Sequence, residues 1–149
     1  EKNIIFTGRV KPLEYIPKFD VMVLTSISEG QPLVILEGMA SGVPYVSTDV
    51  GSCRELLEGR EDDEIGHAGL IVKPVSPAET AEAILRLLRD ATLREEMGRN
   101  GRVRAEVHYK KNAFVDSYRE IYGRYDSDNM MIGDVDSVQA DDGVGVWQA

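Results

Sequence analysis

Short apolar runs alternate with helix-like stretches along the first half of the chain. The runs cover residues 4–6, 21–24, 43–47 and 70–72, and the loops that follow the first three begin at threonine. Continuous apolar runs of this length are typical of parallel strands covered on both faces. The pattern therefore predicts an α/β fold with a Rossmann-like parallel sheet and helices on both of its faces.

Helical patterns occupy the segments between these runs, over residues 13–19, 32–40 and 54–57, and only helices are predicted after residue 72. Ser76-Pro77-Ala78-Glu79 has the spacing of a capping box with proline at the first helical position. Asp90 can cap a second helix, and residues 113–125 predict a third with one apolar face. We interpret the charge-rich faces of these helices as solvated surface.

The net charge of −9 is concentrated at the end of the chain. Residues 126–149 contain six Asp and no Lys or Arg, whereas residues 1–125 are close to neutral. We expect residues 1–125 to form one domain and residues 126–149 to form an acidic, flexible or loosely docked tail. No nucleic-acid partner is expected, and the Asp pairs of the tail favour solvated acids over a metal site, which needs six or more organised oxygens.

Cys53 is the only cysteine, so the chain cannot form an internal disulfide and a reducing compartment fits. The sequence contains no signal-peptide pattern and no apolar run near 20 residues. We therefore expect a cytoplasmic location. The chain does not begin with Met and an apolar run follows at once, which suggests that it is a piece of a larger protein.

Loops rich in small residues follow the first three predicted strands. In an open parallel sheet ligands bind beyond the carboxyl ends of the strands, so residues 7–9, 25–30 and 48–52 are expected at one edge. Gly30 and Gly51 remove side chains where a ligand could approach the backbone. The predicted helix starts near Pro32 and Ser52 offer amides suited to an anion.

Two glutamates, Glu29 and Glu37, stand eight positions apart in the stretch SEGQPLVILEGMASGVP, which contains no Lys or Arg. One interpretation is structural, because an acid at a helix start is stabilised by the helix dipole. The other is that both carboxylates accept hydrogen bonds from vicinal hydroxyls while helix amides bind phosphate, which describes a nucleoside diphosphate sugar. The glycine motifs of dinucleotide and nucleoside triphosphate sites are absent from the sequence.

The stretch SEGQPLVILEGMASGVPYVSTDVGSCREL closely resembles the donor domain of retaining family 4 glycosyltransferases. That family carries Glu, seven residues and a second Glu, followed by Ala-x-Gly-x-Pro and a glycine-containing loop. The resemblance extends over about residues 3–125. Within the family, the residues of this stretch are most similar to the PelF-like branch, which makes Pel exopolysaccharide. It implies the C-terminal half of a GT-B fold.

The resemblance also implies the roles of individual residues. Glu29 would be catalytic, accepting hydrogen bonds from the donor sugar near its anomeric carbon, and Glu37 would bind the ribose hydroxyls. The remaining donor-binding positions implied are Gly30, Gln31, Pro32, Leu33 and Val34 along the sugar and diphosphate, and Arg9 and Val10 beside the base.

The implied reaction moves a hexose from a nucleotide diphosphate sugar, in particular UDP-glucose, to a glycan or another acceptor with retained configuration. It requires no metal or other cofactor, and a membrane-associated polysaccharide synthesis complex is an implied partner.

The chain departs from the family pattern in three respects. The N-terminal acceptor domain and the phosphate-binding Arg and Lys have no counterparts here, and Ser52-Cys53 replaces a frequent Gly-Gly. We therefore expect residues 1–125 to be a partial donor-binding domain that is inactive alone. The alternatives are a non-catalytic regulatory module that binds nucleotide sugars, a nucleotide-sugar epimerase and a structural α/β domain.

Overall fold

A computed structural model describes residues 3–126, with side chains up to residue 123. Three parallel strands, β1 (Met22–Leu24), β2 (Tyr45–Thr48) and β3 (Gly69–Val72), form a sheet in the order β1-β2-β3. The predicted tail lies outside the described residues from position 127 onward. The helices are α1 (Pro12–Tyr15), continued by a 3₁₀ turn (Ile16–Lys18), α2 (Leu33–Ala40), α3 (Cys53–Glu58), α4 (Pro77–Arg89), α5 (Ala91–His108) and α6 (Lys111–Asp126).

Helices cover both faces of the sheet, as the continuous apolar runs predict. Tyr45 of β2 belongs to a core cluster that includes residues of α2, α3 and α5. Its neighbour Val46 belongs to a second cluster with Leu87 of α4 and Met97 of α5. Because successive strand residues point to opposite faces, β2 and β3 each contribute to both clusters, whereas β1 packs against the first cluster alone. The predicted α/β fold with a parallel sheet is confirmed.

Helix α2 ends at Ala40, the last residue of the predicted helical segment 32–40, and the chain turns at Ser41-Gly42. Gly42 has φ +72°, in the left-handed region that favours glycine. Its amide donates to the Met39 carbonyl at 2.9 Å, and the amide of Val43 donates to the Gly38 carbonyl at 2.9 Å. These two bonds form a Schellman motif, which satisfies the last carbonyls of the helix and turns the chain into β2.

The predicted strand at residues 4–6 is wrong. Ile5 and Phe6 are 85% and 94% exposed, and no strand is assigned there. A strand requires a hydrogen-bonded neighbour, and within residues 3–126 the sheet contains β1, β2 and β3 alone. Two of the three predicted loops, the ones after β1 and β2, therefore lie at the carboxyl edge of this sheet. The loop at residues 7–9 does not follow a strand.

One predicted helix cap forms and the other is replaced. Asp90 accepts a hydrogen bond from the Leu93 amide at 2.9 Å, so it caps α5 as expected. Ser76 makes no side-chain cap on α4. Glu79 instead accepts from the Lys73 amide at 3.1 Å and pairs with the Lys73 ammonium at 3.2 Å. This ionic partner lies before the helix and draws the glutamate away from Ser76.

Candidate functional site

The loops after β1 and β2 are joined at the carboxyl edge of the sheet. The Thr48 hydroxyl donates to the Ser26 carbonyl at 2.6 Å, and the Ser52 amide donates to the Gly30 carbonyl at 2.9 Å. Gly51 has φ +52°, and a Cβ there would overlap the carbonyl oxygens of Glu29 and Gly30. The loop after β2 therefore supports the backbone of Glu29 in the loop after β1.

Glu29 lies in the first of these loops, with its side chain partly exposed. The Ser26 hydroxyl donates to its Oε1 at 2.6 Å. This length is typical of a hydrogen bond from a hydroxyl to a carboxylate. The carboxylate is thus oriented by the protein and still accessible from the edge of the sheet.

Glu37 lies in the second turn of α2 and is partly buried. It stands four positions after Leu33 at the helix start, which is a rise of about 6 Å along the helix axis. The two glutamates therefore belong to one loop-to-helix turn, Glu29 before the helix and Glu37 inside it. Whether their carboxylates reach a single ligand stays a prediction.

Tyr45 anchors this part of α2 to the sheet. Its hydroxyl donates to the Val34 carbonyl in the first turn of the helix, and its ring occupies the space where a Cβ on Gly38 would lie. Burial raises the pKa of Tyr45, and the nearby charge of Glu37 raises it further. Tyr45 therefore remains a protonated hydrogen-bond donor at neutral pH.

A groove of about 760 Å³ runs between the start of α2 and the junction of α5 with α6. Two of the predicted donor-binding residues, Gln31 and Leu33, line one side together with Glu37. The opposite side comprises residues that sequence reasoning did not select: His108, Tyr109, Lys110, Lys111, Ala113, Phe114, Val115 and Ser117. Their signal in the sequence is an aromatic residue followed by two lysines at a break between helices.

The two predicted anion sites have different outcomes. The amides of Ser52 and Cys53 donate to the carbonyls of Gly30 and Val50, at 2.9 and 3.1 Å. These two amides therefore serve the loop structure and are not available to an anion. The N-cap of α2 is Pro32, whose side chain has no acceptor atom, so no N-cap side chain covers the amides of Leu33 and Val34.

Asp49, the carboxylate in the second loop, is already paired. Arg54 donates to both of its oxygens, from Nε to Oδ1 at 3.1 Å and from Nη2 to Oδ2 at 2.7 Å. Arg54 also bonds to Glu58. These partners, Asp49 first, raise the pKa of Arg54. Glu29 and Glu37 are therefore better placed than Asp49 to accept from a ligand.

The remaining predicted residues differ in their exposure. Pro32 is buried, whereas Gly30 and Val34 are exposed. Arg9 is exposed and Val10 partly buried before α1, and neither lines the groove.

Within residues 3–126 there is no group of three His, Cys, Asp or Glu side chains that could hold a metal ion. In the same range, no helix is both long and apolar enough to cross a membrane.

The fold agrees with comparisons to known proteins. A family model described as "Glycosyl transferases group 1" matches residues 1–90. The chain belongs to this glycosyltransferase family. Membership supports a transferase over the epimerase alternative.

A solved structure of sucrose-phosphate synthase from Thermosynechococcus elongatus is similar in fold, with a TM-score of 0.77 and 26% identity. The match covers 86% of this chain and 31% of that one. The fold is thus that of a domain of a GT-B glycosyltransferase.

Among curated relatives of this chain, the N-acetyl-alpha-D-glucosaminyl L-malate synthase of Bacillus anthracis is 29% identical over 82% of this chain. The D-inositol 3-phosphate glycosyltransferase of Paenarthrobacter aurescens is 36% identical over 68% of it. The putative teichuronic acid biosynthesis glycosyltransferase of Bacillus subtilis is 35% identical over 76%. This chain spans between 24% and 31% of the length of these relatives.

Proposed function

We propose that this chain is the donor-binding part of a retaining glycosyltransferase that moves a hexose from UDP-glucose to a glycan, as in PelF-like exopolysaccharide synthesis. The observation that carries the proposal is the position of Glu37. This carboxylate lines the groove at the start of α2, directly after the loop that presents Glu29. A carboxylate in a groove is a good acceptor for the two ribose hydroxyls of a nucleotide.

The first turn of α2 would bind the diphosphate. Its amides at Leu33 and Val34 point toward the helix start, where the helix dipole favours negative charge. When the bond to the sugar breaks, negative charge grows on the departing diphosphate, and preorganised amides stabilise it without a metal. Gly30, Gln31 and Pro32 would lie along the sugar and the phosphates.

Glu29 would act on the donor sugar. Its carboxylate is oriented by Ser26 and stands at the edge of the sheet. There it would accept hydrogen bonds from the sugar hydroxyls and stabilise the positive charge that develops near the anomeric carbon. No covalent glycosyl–glutamate intermediate is part of the proposal.

The acceptor, the base and the larger assembly depend on the complete protein. The named relatives differ in what they make, since their names include L-malate, inositol phosphate and teichuronic acid. We propose a glycan acceptor, a uracil base beside Arg9 and Val10, an N-terminal acceptor domain and a cytoplasmic location near a membrane-associated polysaccharide synthesis complex.

The proposal is tested by titrating the chain with UDP-glucose and following the amide shifts of residues 25–37 by NMR. We expect binding in the chain and an affinity reduced about tenfold or more in Glu37→Gln, because a hydrogen bond to a charged group is lost. Glu82→Gln, an exposed residue of α4, removes the same charge away from the groove and serves as the control.

A second ligand shows whether Glu37 acts through the ribose. With 2′,3′-dideoxy-UDP the difference between the wild type and Glu37→Gln should disappear, whereas with UDP it should persist. Equal binding of UDP-glucose by Glu37→Gln and the wild type would contradict the site. Binding without transfer by the complete protein would favour the non-catalytic regulatory module.

A further inference from the structure

We propose that Thr48 and Ser26 form a hydrogen-bonded relay that positions the Glu29 carboxylate for the transfer reaction. This inference rests on the proposed function, in which Glu29 acts on the donor sugar. Thr48 and Ser26 are positioning residues that act through Glu29. We refer to Thr48, Ser26 and Glu29 together as the relay.

The outer step of the relay is the bond between Ser26 and Glu29. An ionised carboxylate only accepts hydrogen bonds, so the Ser26 hydroxyl is the donor to Oε1, at 2.6 Å. A short bond of this kind restricts the rotation of the glutamate side chain. It engages Oε1 and leaves Oε2 as the acceptor for a ligand.

The inner step joins Ser26 to the sheet. The Thr48 hydroxyl donates to the Ser26 carbonyl at 2.6 Å. Thr48 is 2% exposed and is paired with Val72 at the end of β2. Since the strand holds its backbone, the hydroxyl fixes the height of the Ser26 peptide above the sheet, and with it the origin of the Ser26 side chain.

The backbone on the far side of Glu29 is held independently. The amide and the hydroxyl of Ser52 both donate to the Gly30 carbonyl, at 2.9 and 3.1 Å. Gly51 lies against the carbonyls of Glu29 and Gly30. With the main chain held there, loss of the relay releases the carboxylate more than the loop. A catalytic group displaced in this way slows the chemical step and leaves donor binding largely intact.

The test uses the complete enzyme with its nucleotide-sugar donor and measures kcat and KM separately. Ser26→Ala and Thr48→Val each remove one hydroxyl, and we expect each to lower kcat by about tenfold with little change in the donor KM. Ser26→Thr and Thr48→Ser keep the hydroxyls and should restore most of the rate. Ser47→Ala removes a buried hydroxyl one residue away on β2 and is the matched control.

A double-mutant cycle distinguishes positioning from a general loss of structure. If the relay acts through Glu29, Ser26→Ala and Thr48→Val should have no further effect on kcat in the Glu29→Ala background. Full effects of both changes in that background would overturn the relay. So would unchanged kcat in Ser26→Ala and Thr48→Val when Glu29→Ala is impaired.

The failure of the proposed function has a different appearance. Normal transfer by Glu29→Ala, or no transfer from any nucleotide sugar by the wild type, would overturn the role of Glu29 itself. If Thr48→Val fails to fold, Ser26→Ala decides alone. Ser26 lies in a loop at the edge of the sheet, and thermal unfolding of the Ser26→Ala variant shows whether the protein remains folded.

Discussion

At the scale of single residues, the most constrained charge in the structure is Arg104 of α5. It is 1% exposed and donates to Asp63 at 2.6 Å, to the Leu57 carbonyl at 3.0 Å and to the Gly66 carbonyl at 2.5 Å. Asp63 is itself 4% exposed. One guanidinium thus holds the connection between α3 and β3, which otherwise contains no helix or strand.

We predict that Arg104→Met lowers the free energy of unfolding by about 3–5 kcal/mol, because it leaves the buried Asp63 carboxylate without its partner. Urea denaturation measures the change. Arg102→Met on the same helix is the control, since its pair with Glu106 is about half exposed on both sides and such pairs contribute about 0–1 kcal/mol. Equal losses in the two variants would show that the burial of the pair does not matter.

The same pair has a predicted pH dependence. The hydrogen bond from Arg104 lowers the pKa of Asp63, against the opposing effect of burial. A lowered pKa stabilises the folded state above the ordinary Asp value of about 3.9 and ceases to do so as the pH falls through the folded value. The difference in unfolding free energy between wild type and Arg104→Met should therefore shrink as the pH falls below about 3.9.

At the scale of elements, the contact between the two loops depends on Gly51. Replacement by alanine combines a left-handed backbone, which costs about 1–2 kcal/mol, with overlap against the carbonyls of Glu29 and Gly30. We predict a loss of about 2–5 kcal/mol in unfolding free energy, since overpacking adds about 1–3 kcal/mol. Denaturant unfolding and the NMR shifts of residues 25–32 measure the effect.

The control for this prediction is Gly42→Ala at the end of α2. Gly42 also has a positive φ, but a Cβ there would meet its nearest atom at an ordinary 3.8 Å. Gly42→Ala should therefore lower the unfolding free energy by the left-handed backbone contribution alone, without disturbing residues 25–32. If Gly51→Ala is no worse than Gly42→Ala, the close approach of the two loops is not important for stability.

At the scale of the whole molecule, donor binding and transfer are expected to separate. The family resemblance implies a phosphate-binding Arg and Lys that we expect this chain to lack, and two charge-assisted bonds are together worth about 3–6 kcal/mol. Transfer also requires an oriented acceptor, a contribution that reaches about 7–11 kcal/mol. We predict that this chain binds UDP-glucose no better than about millimolar and transfers no glucose.

Calorimetry with UDP-glucose and an assay for glucosyl transfer test the two parts of this prediction on the same preparation. Turnover by the chain alone would show that the acceptor is bound by residues present here. Micromolar binding would show that the groove already contains the cationic groups required, and Lys110 and Lys111 would be the first to replace, because both line it.

Local patterns in the sequence were sufficient for the main elements of the fold. The apolar runs predicted β1, β2 and β3, and the end of the helical segment 32–40 and the cap at Asp90 were confirmed. The helix start near Pro32 also followed from sequence, which places Glu29 before α2 and Glu37 within it. These features depend on backbone preferences and burial within a few residues, and the local sequence is enough to determine both.

Tertiary structure alone decided which distant groups meet. Thr48 reaches Ser26 across 22 positions, and Arg104 reaches Asp63 across 41. The tertiary structure also pairs the Ser52 amide with the Gly30 carbonyl, leaves residues 4–6 without a paired strand and places residues 108–111 beside Glu37. Periodicity reports which face of an element is buried, whereas these contacts depend on how helices and loops pack on the sheet, which no local pattern encodes.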